Sequence, residues 1–160
     1  TNVADSPITR MSPVGVWTGT EMIVWGGNDW LFLGDLGDGA RYNPATDSWT
    51  PMNLLGAPTP RVTQGVWTGS ELLLWGGAND PSGGRYDPAT DAWRPTTLVN
   101  APDVRIGGRW STVWTGAEMI IWGGIIETQT GARYCASAPN PIFADGFATG
   151  NTSAWSAVAP

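Results

Sequence analysis

The chain has 160 residues and a net charge of −6, with 14 acidic side chains against 8 basic ones, all of them arginine. An acidic surface without a basic cluster argues against nucleic acid and anionic membranes as partners, and the absence of histidine removes the commonest metal ligand and general base. The single cysteine, Cys135, excludes an internal disulfide framework, and no apolar run reaches the roughly 18 residues of a membrane-spanning helix. With 22 Gly, 13 Pro and 11 Trp against 3 Tyr and 3 Phe, the composition points to an all-β protein with bulky packing between sheets.

Residues 1–10 end in Arg10 and share their small, Pro-containing character with residues 54–61 and 98–105, which end in Arg61 and Arg105. Each such segment stands just before a recurring run, so residues 1–10 read as the end of a preceding repeat. The chain as a whole then reads as a piece of a longer repeat protein.

The recurring run is W-T-G-x-E-x-x-x-W-G-G, at residues 17–27, 67–77 and 114–124. Spacings of this size are the mark of a repeat architecture. In each copy a short strand a ends at Trp17, Trp67 or Trp114. A tight Thr-Gly turn leads into strand b, which is apolar after Glu21, Glu71 or Glu118 and so is expected to be buried on both faces. Paired glycines follow, permitting positive φ and close backbone approach. A connection of variable length leads to strand c, ending at Tyr42, Tyr86 or Tyr134. In the first two copies an Asx-Pro-Ala-Thr-Asp turn comes next, and strand d opens with Trp49 or Trp93, seven residues after the tyrosine.

Double glycine, tyrosine, Asp-Pro turn and tryptophan in this order resemble the Kelch repeat over roughly residues 10–135. The resemblance implies Kelch-type β-propeller blades, each a four-stranded antiparallel sheet with strand a innermost. It divides the chain into the end of a preceding blade or linker (1–10), blade one (11–60), blade two (61–108), a partial blade three (109–135) and a C-terminal tail (136–160) that supplies an outer strand. The strand-a histidine often found in that family is missing here. Three blades leave an apolar face at each end, so the ring is expected to be completed by missing blades or by a second chain as a homodimer. The third copy departs from the pattern after Tyr134. Its tail, with Phe143-Ala-Asp-Gly-Phe147 and Thr152-Ser-Ala-Trp-Ser156, resembles the C-terminal ends of secreted bacterial proteins and implies a secreted or periplasmic location. Trp155 is the expected start of the outer strand.

Antiparallel order a-b-c-d puts the repeated turns on one face and the variable b–c connections on the other, where binding usually resides. The longest connection, residues 28–38, carries Trp30 and Phe32, which have no counterpart in the other copies. They read either as a stacking platform for a sugar, with Asp29, Asp35 and Asp38 as hydrogen-bond acceptors or a weak Ca²⁺ site, or as a hydrophobic loop folded onto the next blade. Asn79 and Asp80 occupy the second connection and join the candidate ligand set. Arg41, Arg85 and Arg133 recur once per blade. They either converge on an anionic ligand or pair with Asp47, Asp91 or backbone carbonyls between blades. Glu21, Glu71 and Glu118 read as turn or inter-blade contacts. Cys135 is a free thiol, half of a bridge to another segment, or an inert small residue.

No catalytic constellation, metal set or cofactor motif is present in the sequence. The expected function is an extracellular binding or protein-interaction module with a protein or carbohydrate ligand on the variable-loop face. Two alternatives stand beside it: the C-terminal part of a propeller enzyme, galactose-oxidase-like or sialic-acid-processing, with its catalytic residues elsewhere, and a structural protein that assembles through blade faces.

Overall fold

The Thr-Gly-x-Glu turn closes on itself in the same way in all three copies. The Thr18 hydroxyl accepts the Glu21 N–H at 2.9 Å, the Thr68 hydroxyl accepts Glu71 N–H at 2.9 Å, and the Thr115 hydroxyl accepts Glu118 N–H at 3.0 Å. Gly19 sits between at φ +105°, a conformation that a side chain would strain. The turn therefore fixes the hairpin through bonds between neighbours in the chain.

The structure, a computed structural model, describes residues 2–31, 34–77, 80–99, 101, 110–124 and 131–135, and the strand path of 142–146. It is all-β and contains three four-stranded antiparallel sheets. The first comprises β1 (Val14–Trp17), β2 (Met22–Trp25), β5 (Gly39–Asn43) and β6 (Ser48–Pro51), in that order. A two-stranded ribbon, β3 (Asn28–Asp29) with β4 (Gly34–Asp35), lies within the β2–β5 connection. The second sheet comprises β7 (Gln64–Trp67), β8 (Leu72–Trp75), β9 (Gly83–Asp87) and β10 (Ala92–Pro95). The third comprises β11 (Trp110–Trp114), β12 (Glu118–Gly123), β13 (Gly131–Cys135) and β14 (Ile142–Gly146). Innermost strands neighbour one another, β1 beside β7 and β7 beside β11, so the sheets stand side by side like blades. Among the described residues no helix is long and apolar enough to cross a membrane.

The outer strand of the third sheet is β14, from the tail, and it begins well before Trp155, which lies outside the described residues. Its register gives the reason. Tyr42 is opposite Trp49 and Tyr86 opposite Trp93, and Tyr134 is opposite Phe143. Without the tight Asx-Pro turn the connection is longer, and a register shift between Ala132 and Arg133 brings the strands back into step.

Packing between sheets alternates along strand b. Ile23 and Trp25 of the first sheet meet Leu72, Leu74, Tyr86 and Trp93 of the second. Leu73 and Trp75 of the second meet Met119, Ile121 and Tyr134 of the third. Each fully buried aliphatic side chain here contributes roughly 1.5–3 kcal/mol. All four residues of β8 are buried, as two-sided packing requires. In β2 only Ile23 and Trp25 are buried, and in β12 Met119 and Ile121, while Trp122 is 49% exposed. Two-sided burial thus applies to the middle sheet alone, because a strand buries only the faces that have a neighbouring sheet.

The glycine pair ends strand b where the backbone passes the linker of the next blade. Gly27 has φ +89°, and a Cβ there would lie 2.5 Å from the Met11 carbonyl oxygen. Its N–H donates to the Arg61 carbonyl at 3.1 Å. At Gly26 a Cβ would lie 2.8 Å from the Arg61 carbonyl oxygen, so a larger residue there would push the next blade's linker away.

Candidate functional site

The variable connections rest on a device built by the linkers. The Arg10 guanidinium donates to the Gly26 carbonyl at 3.0 Å, to the Asp38 carbonyl at 3.1 Å and to the Asp38 carboxylate at 3.1 Å. Gly26 opens the 28–38 connection and Asp38 closes it, so one arginine ties both ends of the loop. In the second blade Arg61, fully buried, does the same, donating to the carbonyls of Gly76 at 3.3 Å and Ser82 at 3.0 Å and to the Asp80 carboxylate at 3.1 Å. Burial alone would raise the Asp80 carboxyl, but hydrogen bonds from the Ser82 hydroxyl and N–H, with Arg61 beside them, outweigh it and hold Asp80 below the ordinary carboxylate value. Asp38 and Asp80 therefore each pair with a buried arginine while 45% and 39% of their side chains stay exposed. The signal for this in the sequence is the arginine that closes each Pro-rich linker.

On this pedestal the β3–β4 ribbon projects outward. Asn28 bridges back to Met11, each donating its N–H to the other's carbonyl at 2.9 Å. The Asp29 carboxylate accepts the Leu31 N–H at 2.8 Å, an Asx turn that sets the tip. Trp30 is 71% exposed and Leu31 is 70% exposed. Trp30 and Leu31 are consequently not folded onto the next blade, and their side chains face solvent. Met11, Asn28, Asp29, Trp30, Gly34 and Asp35 line a pocket of about 280 Å³ at the base of the ribbon. The Oδ1 of Asn28 is buried there without a hydrogen-bond partner among the described residues, an acceptor left over for a ligand donor.

Of the residues singled out in the sequence, Asp29, Trp30 and Asp35 come together in this pocket, while Asp38 and Asp80 belong to the arginine clamps. Phe32 and Asn79 lie outside the described residues. Among the described residues no group of three or more His, Cys, Asp or Glu side chains is placed to hold a metal ion.

The recurring arginines do not pair with Asp47 or Asp91. Arg41 lies 3.5 Å from Glu21, Arg85 lies 2.6 Å from Glu71 and Arg133 lies 3.6 Å from Glu118, each within its own blade. Side-chain alternation is the reason: Arg41 is opposite Ile23, so it shares a face with Glu21, two residues away, and not with the turn beside Tyr42. Arg41 also reaches across to the next blade, donating to the Pro88 carbonyl at 3.0 Å. Burial would lower the Arg85 value, yet the hydrogen bond and charge of Glu71 raise it. Asp47 and Asp91 instead accept the phenol protons of Tyr42 and Tyr86, both at 2.7 Å. The Tyr42 bond and the Asn2 N–H hold the exposed Asp47 carboxyl down. Cys135 donates its thiol hydrogen to Glu118 at 3.2 Å, and burial with that acceptor raises its value, so it is a weakly reactive thiol.

Compared with known protein families and with curated proteins, the chain matches none of either.

Proposed function

We propose that this chain is a Kelch-type β-propeller module, secreted or periplasmic and bacterial in style, that binds a carbohydrate on the face formed by its b–c connections. One observation carries the reading: an exposed indole, Trp30, beside a pocket rimmed by Asp29, Asp35 and the unpartnered acceptor of Asn28. An indole face stacks on the C–H surface of a sugar ring, and carboxylate and amide oxygens accept hydroxyl protons around it. The arginine clamp holds the ribbon ends in place, which lowers the ordering cost of binding. The blade order, glycine pairs and Tyr–Trp register support the Kelch reading, and the tail's Phe-Ala-Asp-Gly-Phe motif supports the secreted one.

The test is a glycan array followed by titration calorimetry on the best hit. Trp30→Ala is expected to weaken binding by roughly tenfold or more, with Asp29→Asn and Asp35→Asn each weakening it by less. Binding that survives Trp30→Ala undiminished rejects the ribbon as the site. An array without hits, with a protein ligand captured instead, rejects the carbohydrate.

A further inference from the structure

The linker at residues 2–10 repeats most of the hydrogen bonds of the linker at residues 53–61. Asn2 N–H donates to Asp47 at 2.9 Å and Asn53 N–H donates to Asp91 at 3.1 Å. Trp49 donates its indole N–H to the Asn2 carbonyl at 3.1 Å, as Trp93 donates to the Asn53 carbonyl at 2.9 Å. Ser6 N–H bonds the Val3 carbonyl at 3.2 Å and Ala57 N–H the Leu54 carbonyl at 3.1 Å. Asp5 and Gly56 both have positive φ, +59° and +80°. The series ends on the two arginine clamps.

What differs is the occupant of the space between linker and sheet. In the second blade the Trp25 indole, with no exposed surface, packs into one cluster with Leu74, Trp93 and Ala57, its ring centroid 5.6 Å from that of Trp93. At the matching place in the first blade is a cavity of about 270 Å³, lined by Val3, Ser6, Pro7, Ile8, Val24 and Trp49 among others. Val24, Trp49 and Ser6 stand there for Leu74, Trp93 and Ala57. At the opposite end of the row Trp122 holds the strand-b position of Trp25 and Trp75. It is opposite Gly131 as those are opposite Gly39 and Gly83, yet it is 49% exposed where both of those are fully buried.

We propose that the cavity is an indole socket through which two copies of this chain associate head to tail, Trp122 of each copy entering the socket of the other. Both halves of the contact are on one chain, at opposite ends of the row. The same pairing of strand-b residues with the next blade joins the sheets twice within it, so the proposed contact continues an interface already present. A head-to-tail interface generates a ring where the rotation closes. In such a contact Gly124 N–H would stand where Gly27 N–H stands, which donates to the Arg61 carbonyl at 3.1 Å, with Arg10 in the place of Arg61. This inference is independent of the carbohydrate reading, since the socket and the ribbon pocket share no residue.

Sedimentation equilibrium on the full chain tests it. The expected result is a concentration-dependent species of twice the 17.0 kDa chain mass. Trp122→Ala is expected to raise the dissociation constant by roughly thirtyfold or more, and Ile8→Asp, at an exposed rim position, by a similar factor. Mixed together the two variants retain one intact indole–socket pair, so association returns in the mixture beyond that of either alone. Circular dichroism melts confirm that both variants stay folded. A monomer at all concentrations, or a dimer indifferent to Trp122→Ala, overturns the proposal, as does failure of the mixture to associate. A monomer that instead captures a separate blade bearing the W-G-G strand assigns the socket to that other occupant.

Discussion

Strands β2 and β8 descend from the same run of residues and end in the same W-G-G, yet they live in different surroundings. All four residues of β8 are buried, whereas β2 keeps Met22 and Val24 half-exposed. The ion pairs follow suit. Glu71 in the middle blade holds two arginines, Arg85 and Arg94, at 2.6 Å each, while Glu21 holds Arg41 at 3.5 Å. Part of the ion-pair difference is in the residues, since Thr50 stands opposite Arg41 where Arg94 stands opposite Arg85, but the burial of a shared strand pattern varies with what is stacked on it. Hydrophobic stabilisation is counted in area removed from water, and that area belongs to pairs of sheets rather than to either alone.

Several substitutions would break or sharpen that contrast, beginning with the tryptophans. Trp75→Ala is expected to destabilise the fold by about 3–5 kcal/mol, whereas Trp122→Ala in the monomer costs less than about 1 kcal/mol. Urea unfolding of both variants decides it, and equal losses would show that the end blade is as well packed as the middle one. Next come the clamps. Arg10→Ala and Arg61→Ala each remove the two carbonyl bonds and the carboxylate pair that tie the loop ends, from side chains that are 5% and 1% exposed. Arg61 also bonds the Thr59 and Ser82 hydroxyls, so losses of about 2–4 kcal/mol are expected, the larger at Arg61. A harmless Arg10→Ala would contradict the equivalence of the two linkers.

Smaller again is Asp91→Ala, which leaves the buried Tyr86 hydroxyl and the Asn53 N–H without their acceptor and costs about 2 kcal/mol. The matching Asp47→Ala change, at an exposed turn, is expected to cost less in the same thermal melts.

Acid titration draws on the turn carboxylates. Asp80 is held below its ordinary 3.8 as described, Asp87 is held down chiefly by the Thr90 hydroxyl, and Asp47 by Tyr42. Because folded values lie below the unfolded one, these groups contribute in full above about pH 5, and that stability is lost as pH falls through their folded values. Melting temperature should therefore be flat from pH 5 to neutrality in this contribution and decline below about pH 4. On the alkaline side burial raises Tyr86 and Tyr134 above 10.0, so their contribution is complete below pH 10 and lost as pH rises through the folded values. Least of all, Trp30→Ala should change stability by no more than about 0.5 kcal/mol, which separates its role in binding from any role in folding.

Much of this was legible from spacing alone. The Thr-Gly-x-Glu turn, the glycine pair and the seven residues from Tyr42 to Trp49 are local devices, and each appears in the structure as a hairpin, a close approach or a cross-strand pair. The sequence also singled out the 28–38 connection through Trp30, a residue with no counterpart in the other copies, but left open whether it projects or folds onto the next blade. The pairing of the arginines was legible in part: Arg41 does reach a backbone carbonyl of the next blade, that of Pro88, but its acidic partner is Glu21 and not Asp47, through strand register, which links residues twenty apart. The pairings of Asp38 with Arg10 and of Asp80 with Arg61, which join residues 28 and 19 positions apart, were not legible.

By itself, the sequence determined that this protein is built from repeated four-stranded units with fixed turns, because those turns close through bonds between neighbours in the chain. Only the tertiary structure decided which copies of the repeated tryptophan are buried and which linker encloses an indole and which a cavity. Those outcomes depend on whether another sheet lies against a given face, and a repeat carries the same residues whether or not that neighbour is there.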